Sequence, residues 1–378
     1  MPSAARPLSF ADHLKREWLL CIALVIAIVL GGVDPRPAQR YIEWMDIPTL
    51  AGLFALLAAT QAVRRSGYVQ YFAWQLTSRV STTRALALVL VAGAGVSSMI
   101  LTNDVSLFLI VPLTVVIGKG LALPASLVRR LVIFEAFAVN AGSMLSPVGN
   151  PQNLLVWQLS KVDAWHFVVW LLPAFVVGAV ALIALTIGMF PGTPITGKIE
   201  KAPDTHRRPA LALTAAGLLL GTIVLLQLGL AWVAAVVVAG VFLVIDRPTL
   251  RSVDWALLAT FSALFVGLGH LADWAPVHAV ASRFQWSDPA TLYTGGTLLS
   301  QVISNVPATV FLSQFTESWQ VLLIAVNVGG YGLAIGSMAN LIALRLEGSK
   351  GIWWEFHLYS VPFFIAVALL TWFFVLPT

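Results

Sequence analysis

Asparagine amides set among apolar residues can hold a cation through oxygen, an anion through N–H, or one another, and this sequence repeats a pair of them. The pattern Val-Asn-x-Gly-x6-Gly-x3-Asn-Leu fills Val139–Leu154 and again Val326–Leu341. Asn140 matches Asn327, Gly142 matches Gly329, Gly149 matches Gly336 and Asn153 matches Asn340, all 187 residues apart. Each copy follows a second polar interruption of an apolar run, Thr102-Asn103-Asp104 in the first half and Ser304-Asn305-Val306-Pro307 in the second. Asp104 is the sharpest single residue. A carboxylate near the centre of a bilayer costs about 2.5–3.5 kcal/mol on insertion scales, so it faces a cavity or a partner. Its roles are proton carrier, cation ligand or cap of the half-helix from Val105.

The stretch Ser146-Pro147-Val148-Gly149-Asn150-Pro151-Gln152-Asn153 places two prolines and a glycine within five residues. Proline removes a backbone donor and clashes with the preceding turn, so a helix must unwind here. The freed carbonyls, with Asn150 and Asn153, can coordinate a cation, and the N-termini of the half-helices can bind an anion. The second copy, Gly329-Gly330-Tyr331-Gly332 through Gly336, Ser337 and Asn340, has glycines but no proline. Its plainer reading is close helix packing through small residues. The registered match to the first copy favours a site there too. Glu135 reads as an ion-pair partner of Arg129 or Arg130, and His270 and His278 as solvated residues at the outer end of a span. Tryptophans such as Trp18, Trp44, Trp157, Trp165, Trp286, Trp353 and Trp354 fall near span ends, as an interfacial belt does. No nucleophile elbow, zincin motif or Walker loop is present, so an enzyme or ATP-driven pump is not expected.

These residues need elements to hold them. The chain is 59% hydrophobic and only 10% charged, which exceeds what a soluble core uses and marks an all-α polytopic membrane protein. Full spans are expected at roughly 18–33, 47–63, 131–158, 165–190, 209–228, 231–246, 255–272, 320–345 and 357–377. Between Arg84 and Lys119 the only charge is Asp104. That length suits neither one span nor two, and predicts a re-entrant hairpin at 85–118, with its equivalent at 291–315. Residues 1–190 then form a first repeat with broken helix 131–158, 191–208 a cytoplasmic linker, and 209–378 a second repeat with broken helix 320–345. With the N-terminus inside, 18 of the 22 Lys and Arg fall on the cytoplasmic side, leaving Arg36, Arg40, Lys161 and Arg283 outside. The C-terminus is then outside and the second repeat inverted, the arrangement of a secondary transporter. The basic residues form no patch for nucleic acid. Cys21 is the single cysteine, so no internal disulfide forms.

At Thr102-Asn103-Asp104, Ser146–Asn153, Ser304–Pro307 and Gly336–Leu341 the chain resembles the ion transporter superfamily. That group holds arsenite permeases, divalent-anion/sodium symporters, citrate permeases and some sodium/proton antiporters. The resemblance, from about residue 45 onward, implies a homodimer with a scaffold and a mobile transport domain. Substrate would bind between the hairpin tips and move by an elevator-like step. In the divalent-anion symporters both tips read Ser-Asn-Thr. Here Ser304-Asn305 matches but Val306 replaces the threonine, while Thr102 and Asp104 stand for the serine and threonine of the first tip. Asn103-Asp104 is closer to the arsenite permeases, where the acid suits proton coupling. The expected substrate and ion site is Thr102, Asn103, Asp104, Gly149, Asn150, Asn153, Ser304, Asn305, Thr309, Gly336, Ser337 and Asn340. Pro147, Pro151 and Pro307 break the helices, and Asn103, Gly149, Asn305 and Gly336 are candidates for sodium. Asp104 is the coupling residue.

The expected function is secondary transport of a small anion or oxyacid, driven by H+ or Na+ with no cofactor, in a bacterial inner membrane. Sodium/proton antiport and an ion channel are the alternatives. No lysine or arginine lies in the expected site, so an anion would rest on helix N-termini and amides.

Overall fold

The computed structural model describes residues 18–68, 71, 75, 79–195 and 207–376. Arg6, Lys15, Arg16, Lys198 and Lys201 of the charge pattern lie outside them. Among the described residues the regular structure is helical, apart from one isolated bridge between Thr82 and Pro194. In chain order the helices are α1 (Trp18–Val33), α2 (Ala38–Trp44), α3 (Ile47–Arg65), α4 (Thr83–Ile100), α5 (Asn103–Gly120) and α6 (Ala125–Met144). Then come α7 (Pro151–Ser160), α8 (Ala164–Met189), α9 (Pro209–Gln227), α10 (Ala231–Ile245), α11 (Arg247–Arg251) and α12 (Trp255–Asp273). The last are α13 (Ala275–Ala281), α14 (Pro289–Ile303), α15 (Asn305–Leu312), α16 (Trp319–Gly329), α17 (Met338–Glu347) and α18 (Ile352–Phe374). A 3-10 turn at Ala334–Gly336 separates α16 from α17.

Among the described residues five helices are long and apolar enough to cross a membrane: α3, α5, α8, α18 and Pro209–Leu226 of α9. Trp255–Leu271 of α12 and Ala275–Ala281, bent by 62°, give a sixth when counted as one span. In α8, Phe167, Leu171, Ala174, Gly178, Leu182 and Thr186 are buried, while Val169, Leu172, Val176, Val180, Ile183 and Ile187 are exposed. A helix that keeps such residues on its outer face is built for lipid.

The chain forms two compact units, each drawn from separated stretches: Met1–Ala58 with Val224–Arg283, and Ala59–Ile223 with Phe284–Thr378. In the first, α12 packs on α1 and α2. Asp46 and Asp254 each cap the helix that follows, accepting the N–H of Thr49 at 3.3 Å and of Leu257 at 3.0 Å. His270 departs from the solvated reading. It is fully buried, stacked on Trp44 with ring centroids 4.7 Å apart and bonded through Nε2 to Asp34 at 3.2 Å. Helix α2 brings Trp44 and Tyr41 over it, which a span-end argument does not foresee.

The second unit is built on two matching layers. Helices α4 and α5 pack on each other and on α6, and α14 and α15 do the same with α16. Helix α5 packs on α17 of the other half, and α15 on α7. Helices α8 and α18 lie against both α6 and α16. The first expected hairpin is thus two helices of 18 residues each, longer than its sequence halves suggested, whereas α14 and α15 have 15 and 8. The end of α8 is tied to the start of α4: Arg84 N–H reaches the Pro191 carbonyl at 3.1 Å and Ile195 N–H the Ser81 carbonyl at 2.9 Å.

The repeated glycines serve the α4–α6 and α14–α16 contacts. A Cβ on Gly142 would lie 2.0 Å from the Gly95 carbonyl oxygen, and one on Gly329 would lie 2.6 Å from Ser300 Cβ. Gly142→Ala should therefore lower stability by about 1–3 kcal/mol through overpacking against backbone. Gly221→Ala, on α9 with nothing within 4 Å, should be neutral or stabilise by up to about 1 kcal/mol. Thermal melting of the two variants in detergent checks the contrast.

Candidate functional site

The two breaks meet in the interior of the second unit through side chains that each half supplies to the other. Helix α6 ends at Met144, and Ser146–Gly149 makes a turn closed by the Gly149 N–H on the Ser146 carbonyl at 3.1 Å, with Pro147 at its second position. Helix α7 then starts with Pro151, where a missing N–H costs nothing, and Asn150 caps it by accepting the Asn153 N–H at 2.9 Å. The second break runs from Gly330 through the 3-10 turn to Ser337.

Across the centre the bonds come in matched pairs. Asn140 Nδ2 donates to Asn340 Oδ1 at 2.9 Å, and Asn327 Nδ2 donates to Asn153 Oδ1 at 2.8 Å. Asn150 Nδ2 donates to Asn327 Oδ1 at 3.1 Å, and its counterpart Ser337 donates to Asn140 Oδ1, also at 3.1 Å. Asn153 Nδ2 closes on the carbonyls of Ser143 and Ser146 at 3.1 and 3.0 Å. Asn340 closes on the equivalent carbonyls of Gly330 and Leu333 at 2.8 and 3.4 Å. Asn140, Asn150, Asn153, Asn327, Ser337 and Asn340 are all buried. These bonds restore partners to backbone that the breaks release, which a bilayer interior would otherwise leave unsatisfied.

The first tip joins this centre through backbone: Asn103 N–H donates to the Gly149 carbonyl at 2.9 Å. Thr102 Oγ1 caps α5 by accepting the Val105 N–H at 3.4 Å. Asp104 is therefore released from the capping role. It is buried, and its Oδ1 has no hydrogen-bond partner among the described residues. At the second tip Ser304 holds φ +69°, a left-handed region that costs a non-glycine residue about 1–3 kcal/mol. Its buried Oγ has no partner either. Asn305 Nδ2 lies 3.3 Å from where a Cβ of Gly330 would be, so this tip sits against the second break. Thr309 donates back to the Asn305 carbonyl at 2.7 Å. Pro307 lies in the first turn of α15, and the interruption is at Ser304 before it. Among the described residues no hydrogen bond joins the two tips directly.

Of the sodium candidates, the Gly149 carbonyl already accepts from Asn103, and Gly336 is buried in the 3-10 turn. At the two tips and in the first turns of α5 and α7, the buried side-chain oxygens with no hydrogen-bond partner among the described residues are Asp104 Oδ1, Ser106 Oγ, Gln152 Oε1 and Ser304 Oγ. Among the described residues no group of three His, Cys, Asp or Glu could hold a transition metal. Helices α5, α7, α15 and α17 all begin at these residues, presenting positive ends, while α4, α6, α14 and α16 end there.

Sequence reading missed Asn140 and Asn327 as site residues, although the repeat itself marks them. It also missed Gln301, which bridges α14 to the second break. Its Nε2 donates to the Gly329 carbonyl at 2.6 Å and its Oε1 accepts the Leu333 N–H at 2.7 Å. The equivalent first-half residue is Met99, so no repeat signals it. His357 was missed as well. Its Nδ1 faces the Trp353 carbonyl at 2.7 Å, which leaves Nε2 to accept the Ala334 N–H at 3.2 Å.

Residues 10–320 match the citrate transporter family, CitMHS. The chain belongs to that family. It is 37% identical to inner membrane protein YbiR of Escherichia coli over 368 residues, covering 96% of each chain. It is 28% identical to an uncharacterized transporter, MJ0456, of Methanocaldococcus jannaschii, over 86% of this chain and 87% of the relative. The silicon efflux transporter LSI3 of Oryza sativa subsp. japonica is 24% identical over 85% of this chain and 83% of its own. By its family and relatives the protein is a membrane transporter and not an enzyme.

Removing one central amide breaks several bonds at once. Asn153→Ala removes the amide that the Ser143, Met144 and Ser146 carbonyls and Asn327 Nδ2 share, which should cost about 3 kcal/mol. Asn340→Ala, its counterpart, should cost a comparable amount. Asn153→Asp should be worse than alanine, because an acceptor-only carboxylate would face three carbonyl oxygens. Melting temperatures in detergent give the ranking.

Proposed function

We propose that this membrane transporter is a secondary active carrier of a small anion or oxyacid, coupled to protons or sodium and working by elevator-type alternating access. The observation that carries the reading is Asp104: a buried carboxylate, with one oxygen unpartnered, at the start of α5 beside the first break. Helices α5, α7, α15 and α17 begin at the tips and breaks and none of the site residues is basic, which favours a substrate held by N–H groups and amides. The names of the relatives support this range of cargo, from citrate in the family name to silicon in the rice protein. A second reading, sodium/proton antiport with no anion moved, draws on the same lone carboxylate. Flux into proteoliposomes across a panel of anions, neutral oxyacids and sodium, with a pH dye inside, separates the two.

The wider arrangement belongs to the same proposal. Nine spans and two re-entrant hairpins form two inverted repeats in a homodimer, with the N-terminus cytoplasmic and the C-terminus outside a bacterial inner membrane. The charge pattern supports this topology, and the matched hydrogen bonds between the two breaks support the repeat. A cysteine placed beside Lys119 should stay unlabelled by an impermeant reagent added to intact cells, and labelling from outside would overturn the topology.

Asp104→Asn tests the coupling. The amide keeps the size and hydrogen-bonding reach of the side chain but cannot take up or release the proton. Uphill transport and its pH dependence should be lost, while substrate exchange down its own gradient survives. Uphill transport at an unchanged rate and pH profile would reduce Asp104 to a structural residue of the tip.

A further inference from the structure

Glu135 does not make the ion pair its neighbours in sequence suggest. At 100° per residue, positions five and six apart on a helix point to different faces, so Arg129 and Arg130 turn away from it. Arg129 pairs with Glu355 of α18. Arg130 donates to the Met189 carbonyl at 2.9 Å and lies over the rings of Tyr359 and Phe190. Glu135 is instead fully buried between α5 and α6. Its Oε1 accepts from the Thr114 hydroxyl, and its Oε2 has no partner among the described residues.

The charged and titratable groups on the helices packed against α6 are engaged elsewhere or distant along the chain. Arg84 of α4 donates to the Phe190 carbonyl, and Glu347 of α17 accepts from Ser349. Glu355 of α18 holds Arg129, and His357 binds Ala334. Arg345 of α17 has a partner of its own. His166 of α8 pairs with Asp163 at the start of that helix. On α5, Lys119 is five residues beyond Thr114 and Asp104 ten before it, about 7 and 15 Å along the axis. Helix α16 carries no charge.

A buried carboxyl group with no counter-charge is tolerated with a proton or a cation bound to it. A cation needs several oxygen ligands. Among the described residues the one hydrogen-bond partner of Glu135 is the Thr114 hydroxyl, and no group of three His, Cys, Asp or Glu side chains forms there. A proton needs only Oε2. On α6, Glu135 lies about 7 Å from Arg130 on one side and about 7 Å from Asn140 on the other. It therefore stands between a basic helix end and the asparagine centre.

We propose that Glu135, oriented by Thr114, is a second proton-binding site of this transporter, separate from Asp104. Loading forms one O–H bond at Oε2 and release breaks it, while Thr114 continues to donate to Oε1. The proposal rests on the family assignment and not on the coupling role of Asp104, and its test needs no substrate. Infrared difference spectra of the full-length protein in lipid nanodiscs, taken from acid to alkaline pH, should contain a protonated-carboxyl C=O band. That band should vanish in Glu135→Gln and persist in Asp104→Asn. It should shift in frequency in Thr114→Val, a variant that keeps Glu135 and serves if Glu135→Gln does not fold. Proton uptake over the same range should fall by one per chain in Glu135→Gln. A band unaffected by both the Glu135 and Thr114 substitutions would overturn the proposal. A band that sodium abolishes at constant pH would also overturn it, since the group would then be a cation site.

Discussion

The second unit depends on amides that are satisfied only across the halves. Breaking a helix in an apolar interior frees carbonyls and N–H groups that water cannot reach, and each one left bare costs about 1–3 kcal/mol. Asn153 and Asn340 cover the carbonyls of their own breaks, and their remaining oxygens are covered by Asn327 and Asn140 from the opposite copy. The unwound segments can therefore be permanent features of the fold. Gly142 and Gly329 belong to the same arrangement, because without a side chain they let the broken helices sit directly against α4 and α14.

Around that shared frame the halves diverge at the tips and at the helices that hold the breaks. The first tip has Thr102 in extended backbone and an acid at Asp104, where the second has Ser304 at positive φ and Val306. The second break is held to its neighbouring helix by Gln301, where the first half has Met99. One tip therefore carries an acid, and the other a strained turn beside a tethered loop.

Much of this was legible in the sequence because the signals were chemical and doubled. Two prolines and a glycine within five residues dictate the first break, and the register of Asn153 with Asn340 identifies the second although it lacks proline. The helical class followed from composition alone. What was not legible depended on the third dimension. In sequence Glu135 reads as a partner of Arg129 or Arg130, yet helix rotation turns both away and Thr114 of a neighbouring helix takes the contact. The position of His270 near a span end points to solvent, and only the fold of α2 shows Trp44 lying over it. Gln301 carried no signal because its matched position holds methionine.

The exchanged amides also set an order of synthesis. Asn153 and the Asn327 that satisfies it are 174 residues apart. At about 5–20 residues per second, the ribosome delivers the second roughly 9–35 s after the first. Throughout that interval the first break exists without the groups that complete it. Its asparagines must stay hydrated or be sheltered by the insertion machinery, and the first half cannot mature as an independent folding unit. Quality control that samples the nascent chain would meet an open polar break in every molecule until the second copy arrives.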